Sequence, residues 1–132
     1  MKKIVISSMV LFVASMMLGF VIHGMLLHGD YADSNLTRTQ EDQESKFGFM
    51  IVGHVLIAIG FTLIYRRGRE DKPWPGQGIR FGLLWSLAAV VPTYLIYHAV
   101  MPFELALIGK QIAFDSVRIT LLGLLAALVN KK

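Results

Sequence analysis

Apolar residues fill the chain in four long runs, at 4–27, 47–65, 79–101 and 103–129, and charged residues collect in the stretches between them. At the α-helical rise the first run, Ile4 to Leu27, extends about 35 Å, enough to cross a hydrocarbon layer of about 30 Å. The second, Phe47 to Tyr65, carries no charge and is bounded by Lys46 on one side and Arg66-Arg67 on the other. The third, Ile79 to Met101, contains Pro92, which removes one backbone hydrogen bond and predicts a kink near Val91-Pro92-Thr93. The fourth, Phe103 to Val129, holds Glu104, Lys110, Asp115 and Arg118 before the clean stretch from Ile119, so that part must be wet or packed on protein. The pattern predicts an all-α polytopic membrane protein, a single domain over 1–132. Its four transmembrane helices form a compact bundle, the third kinked at proline.

The first run has a rival reading as a cleaved signal peptide, since Lys2 and Lys3 form a basic start and Val13-Ala14-Ser15 a small-residue site. The apolar run continues past that site through Met16, Leu18, Phe20, Val21 and Ile22, which favours an uncleaved anchor.

Lys and Arg are retained on the cytoplasmic side of a membrane, whereas acidic residues bias orientation little. Lys2, Lys3, Arg66, Arg67, Arg69, Lys72, Arg80, Lys131 and Lys132 fall on one side, including the basic loop 66–78. The loop 28–46 carries Arg38 and Lys46 among Asp30, Asp33, Glu41, Asp42 and Glu44. Both termini are therefore expected in the cytoplasm of a bacterium, with the protein in its inner membrane and the lipid bilayer as its first partner. Within the outer loop Thr39 to Ser45 are good helix formers, so the second helix is expected to project beyond the bilayer. In the cytoplasmic loop Pro73-Trp74-Pro75-Gly76 reads as a stiff turn.

Composition sharpens this picture. With 55% hydrophobic and 17% charged residues, the chain is too apolar for a water-soluble fold. The absence of cysteine removes disulfides, thiolate metal sites and cysteine nucleophiles. A net charge of +4 invites a nucleic-acid reading, but the excess is the topological bias just described, and no nucleic-acid partner is expected.

Helices in a bilayer pack through small residues and interhelical hydrogen bonds. Candidate inward rows are Ser8, Phe12, Ser15, Gly19 and His23 on the first helix, and Gly53 with Gly60 beside His54, Ala58 and Thr62 on the second. The third offers Gly82, Ser86, Ala89, Thr93 and Tyr97, and the fourth Ser116, Thr120, Gly123 and Ala127. His23, His54 and His98 all fall within about 10 Å of the outer ends of their helices, and Asp115 enters from the same side. Three imidazoles converging with a carboxylate could ligate haem b or a divalent metal, or pass protons; hydrogen bonding between helices is the plainer role. Asp115 and Arg118, three apart on one helix, suit a local ion pair or a proton-coupling pair. Glu104 and Lys110 read as the rim of the fourth helix, with Lys110 snorkelling.

Gly82-Leu83-Leu84-Trp85, Pro92-Thr93, Pro102 followed by Leu105 and Leu107-Ile108, and Leu121-Leu122-x-Leu124 resemble a family of small four-span bacterial membrane proteins classified as a domain of unknown function. The resemblance lies in the C-terminal half, from Gly82 on, and implies topology alone.

No nucleophile elbow, phosphate-binding glycine loop or His-Glu-x-x-His signature is present, so the chain is not expected to be an enzyme. The expected role is a non-enzymatic accessory, assembly or sensing component that binds other membrane subunits or itself. The alternatives are a haem- or metal-binding protein using the outer-half histidines, and a small proton-coupled transporter acting as a homo-oligomer through Asp115.

Overall fold

In hydrocarbon a backbone must satisfy its own hydrogen bonds, and each apolar run does so as helix. The computed structural model describes residues 1–131, and among them there is no strand. Helix α1, Lys2–Gly19, runs into a wider π turn over Phe20–Leu26. Two short helices follow, α2 at His28–Ser34 and α3 at Gln40–Ser45, and then α4 at Phe47–Gly68. A second π turn, Ser86–Val90, joins α5, Trp74–Trp85, to α6, Val91–Val100, and α7 spans Leu105–Val129. Four rods, 2–26, 47–68, 74–100 and 105–129, are long and apolar enough to cross a membrane.

The predicted kink has a definite form. Pro92 has no N–H to offer the Ala88 carbonyl, and the helix widens into the π turn immediately before it. The turn at Phe20–Leu26 contains no proline; it leaves Ile22 buried and His23 half-buried.

Three boundaries differ from the sequence reading. Helix α5 begins at Trp74, so Trp74-Pro75-Gly76 is a first helical turn and not a separate stiff turn. Proline at the second helical position costs nothing, because that N–H has no intrahelical partner. Helix α4 continues to Gly68, which keeps Arg66 and Arg67 helical. Helix α3 does not extend α4; the backbone breaks at Lys46, with φ −108° and ψ 6°. The hydroxyl of Thr39 caps α3 by accepting from the Asp42 N–H, and Asn35, with φ 53°, ends α2 in the left-handed region that asparagine tolerates.

Helix α7 is the hub, packed against α1, α4, α5 and α6. Its tightest seam is with α5. A Cβ on Gly78 would lie 2.7 Å from the Leu124 Cα, one on Gly82 would run into the Thr120 Cα, and one on Gly123 into the Gly78 carbonyl. Backbones meet at this seam because side chains are missing from it. Elsewhere the expected small rows shift. On α1 the buried row is Ser7, Leu11, Ser15 and Gly19, so it starts one residue before Ser8 and Phe12. On α4 it is Ala58, Phe61, Thr62 and Tyr65, while a Cβ on Gly53 or Gly60 would meet nothing within 4 Å. Thr93 and Tyr97 are exposed, and Gly78, Gly82, Ser86 and Val90 form the inward row of the third rod. Edge-on rings join α4 to α5, with Phe61 4.7 Å from Phe81 and 5.1 Å from Trp85 between centroids.

Candidate functional site around Asp115

A polar cluster interrupts the apolar interior around Asp115. Helix α7 places Gln111, Asp115 and Arg118 along one face by their spacing of four and three. Asp115 is 2% exposed and meets side chains from three elements. From the π turn after α1, His23 Nε2 lies 3.2 Å from its Oδ2. From α6, Tyr94 donates its hydroxyl to the same Oδ2 in a short hydrogen bond. From α7 itself, Arg118 Nε stands 2.9 Å from Oδ1, an ion pair rather than an aligned hydrogen bond.

The cluster continues toward the end of the bundle that carries the 28–46 loop. His23 Nδ1 is 2.8 Å from the Tyr31 hydroxyl, which accepts from Gln111 Nε2 at 2.9 Å. One residue on each side, Asp30 pairs with Lys110 at 2.6 Å. Adjacent residues of α2 thus bind adjacent residues of α7, with Leu27, fully buried, beneath them.

These contacts fix the proton positions when His23 is neutral. Gln111 donates to Tyr31, Tyr31 donates to His23 Nδ1, and His23 Nε2–H donates to Asp115. The sense of the chain is set by the Asp115 carboxylate, which can only accept, so Nε2 carries the proton and Nδ1 accepts from Tyr31. Burial pushes the Tyr31 hydroxyl above the ordinary tyrosine range, with the Gln111 hydrogen bond opposing it, so the phenol stays protonated.

His54 lies beside this cluster. Its Nδ1 is 2.7 Å from Ser15 Oγ, which binds α4 to α1. Gly19 leaves room for both neighbours: a Cβ there would stand 3.2 Å from Arg118 Nη1 and 3.4 Å from His54 Cε1. His98 is elsewhere, exposed, with Nδ1 2.8 Å from the Phe103 carbonyl oxygen. His28 is exposed as well. The structure therefore brings His23, Asp115 and Arg118 together, sets His54 alongside them and leaves His98 out. Among the described residues no three His, Asp or Glu side chains gather as metal ligands would.

Lys110 does not simply snorkel, since Asp30 holds it. Three members of the cluster went unread in the sequence. Gln111 carries a signal, four residues before Asp115 on the same helical face. Tyr94 could be read only as an aromatic near the boundary, and Tyr31 depends on α2 folding back over the bundle.

A family model described as "Protein of unknown function (DUF1761)" matches residues 6–127. The chain is a DUF1761 protein. The matched region takes in most or all of each of the four rods of this DUF1761 chain and includes the polar face of α7, so the family likeness is not confined to the C-terminal half. No curated protein and no solved structure matches the DUF1761 chain.

Proposed function

We propose that this DUF1761 protein is a non-enzymatic sensing component of the bacterial cytoplasmic membrane, with both termini in the cytoplasm and a response governed by protonation of His23. The observation that carries this reading is the position of that imidazole, 2.8 Å from Tyr31 on the peripheral helix α2 and 3.2 Å from the buried Asp115. Imidazole changes charge near neutrality, and the His23 side chain is 30% exposed. A second proton, at Nδ1, turns that nitrogen from acceptor into donor. Tyr31 must then accept where it had donated, and its own hydroxyl proton must turn to another partner.

Charged and titratable groups around His23 come from every side: Tyr31 on α2, Tyr94 on α6, Asp115 and Arg118 on α7, and His54 on α4. The switch therefore acts on how α2 sits on α7, and a neighbouring membrane subunit or second copy would read that change.

Spin labels at Ala32 on α2 and Ala106 on α7, in protein reconstituted in nanodiscs, report the distance between these elements. A change is expected between about pH 8 and about pH 5. It should vanish in His23→Gln, whose amide keeps hydrogen bonding without titrating. A distance that stays constant in the unsubstituted protein rejects the proposal.

A further inference from the structure

The opposite end of the bundle, where the termini and the 69–73 loop meet, holds a cavity of about 220 Å³. Tyr65, Arg69, Lys72, Trp74, Gln77 and Lys131 line it together with Glu70, Asp71 and Pro73. Its walls are fixed. Gln77, buried in the first turns of α5, accepts from the Glu70 N–H at 2.8 Å and donates to the Lys72 carbonyl at 2.5 Å, which sets the loop. Asn130, wholly buried at the end of α7, donates to Ser7 Oγ and the Ala126 carbonyl, each at 2.8 Å. Arg66 and Arg69 donate to its side-chain and backbone oxygens at 2.8 Å and 2.6 Å.

What these bonds leave over is a set of donors. Arg69 uses one Nη on Asn130 and keeps the rest of its guanidinium without a partner among the described residues. The Tyr65 hydroxyl, the Trp74 indole N–H and the Lys131 ammonium have no hydrogen-bond partner among them either. Of the two carboxylates in the lining, Glu70 is flanked by Lys72 at 2.5 Å and Arg80 at 2.6 Å, and Asp71 is engaged as well, so neither offsets this surplus. Trp74 opens α5 where the apolar rod begins, so the cavity lies at the boundary between the rod and water.

We infer that this cavity binds a phosphate group, with Arg69, Lys131, Tyr65 and Trp74 as its donors. The phosphate comes either from an anionic phospholipid headgroup, with acyl chains along the neighbouring rod, or from a soluble phosphate. Arg supplies a planar fork suited to phosphate oxygens, and the boundary position suits a lipid.

Native mass spectrometry of protein released from nanodiscs containing phosphatidylglycerol and phosphatidylcholine tests the lipid source, and titration with inorganic phosphate followed by phosphorus NMR tests the soluble one. The double variant Tyr65→Phe/Lys131→Gln removes two donors while keeping the ring that packs on Phe81, and Arg67→Gln removes a cation that does not line the cavity. Retention of one phosphatidylglycerol, weakened about tenfold in the double variant and little changed in Arg67→Gln, supports a lipid site. Saturable binding of inorganic phosphate with the same variant pattern supports a soluble ligand. Equal loss in both variants, which marks diffuse charge attraction, overturns the inference, as does binding of neither probe. Unchanged thermal unfolding of the double variant establishes that any loss is local.

Discussion

Asp115 is a carboxylate held in an apolar interior by three partners that differ in what they contribute. Arg118 supplies charge, Tyr94 a hydroxyl donor, and His23 a donor that can also gain charge. Removing the carboxylate's charge leaves Arg118 buried beside neutral groups, and breaking a buried pair from one side costs about 3–5 kcal/mol. Asp115→Asn should therefore lower stability by that order in detergent unfolding, and adding Arg118→Met should restore much of the loss. If the double variant is as unstable as the sum of the single ones, the two residues do not act as a pair. At the other end Glu70 sits below the ordinary carboxylate range because Lys72 hydrogen-bonds it first and Arg80 next. A depressed folded-state pKa contributes stability above the unfolded value, near 4, and that contribution disappears as pH falls through the folded value. Carbon NMR of the Glu70 carboxyl should report this low transition, and Arg80→Gln should move it upward. A titration unaffected by Arg80→Gln would remove the ion pair from the explanation.

Among elements, the decisive seam is α5 against α7. Gly78, Gly82 and Gly123 let two backbones touch, and a side chain there has nowhere to go but into backbone. Gly82→Leu should cost more than the 1–3 kcal/mol typical of overpacking, because no flexible neighbour can yield. Gly60→Ala on α4 should be neutral or stabilising by up to about 1 kcal/mol, since its Cβ meets open space and alanine favours helix. Comparing the two variants by unfolding in the same detergent checks the assignment; similar losses would show that α4 packs through Gly60 after all. The sequence supports a small-residue row on every rod, yet it cannot rank them. Gly53 and Gly60 have the heptad spacing of an interface and face away from one, while Gly78, four residues before Gly82, looked like part of a loop. Two prolines made the start of α5 resemble a turn, although a first helical turn accommodates the second of them.

For the whole molecule, the basic stretches lie at the end formed by the termini and the 69–73 loop, and the Asp115 cluster extends toward the other end. In the proposed orientation the cationic end stays in the cytoplasm. A reporter enzyme that works only in the cytoplasm, fused after the C-terminus, should be active in intact cells; activity restricted to a periplasmic reporter at that position would reverse the assignment of inside and outside.

Hydrophobic periodicity and run length determined the four rods, the prolyl kink and the local Asp115–Arg118 pair, because each depends on residues a few positions apart and on the cost of exposing backbone to hydrocarbon. Which histidine meets Asp115 depended on how α1 and α6 lean on α7, and the entry of Tyr31 on how α2 folds back. Those are long-range packing choices among nearly equivalent apolar faces, settled by close backbone approach and by satisfying one buried charge. The shared outer-half placement of His23, His54 and His98 could not distinguish a shared centre from three separate hydrogen bonds. Tertiary packing assigned His23 to the carboxylate, His54 to Ser15 and His98 to a loop carbonyl.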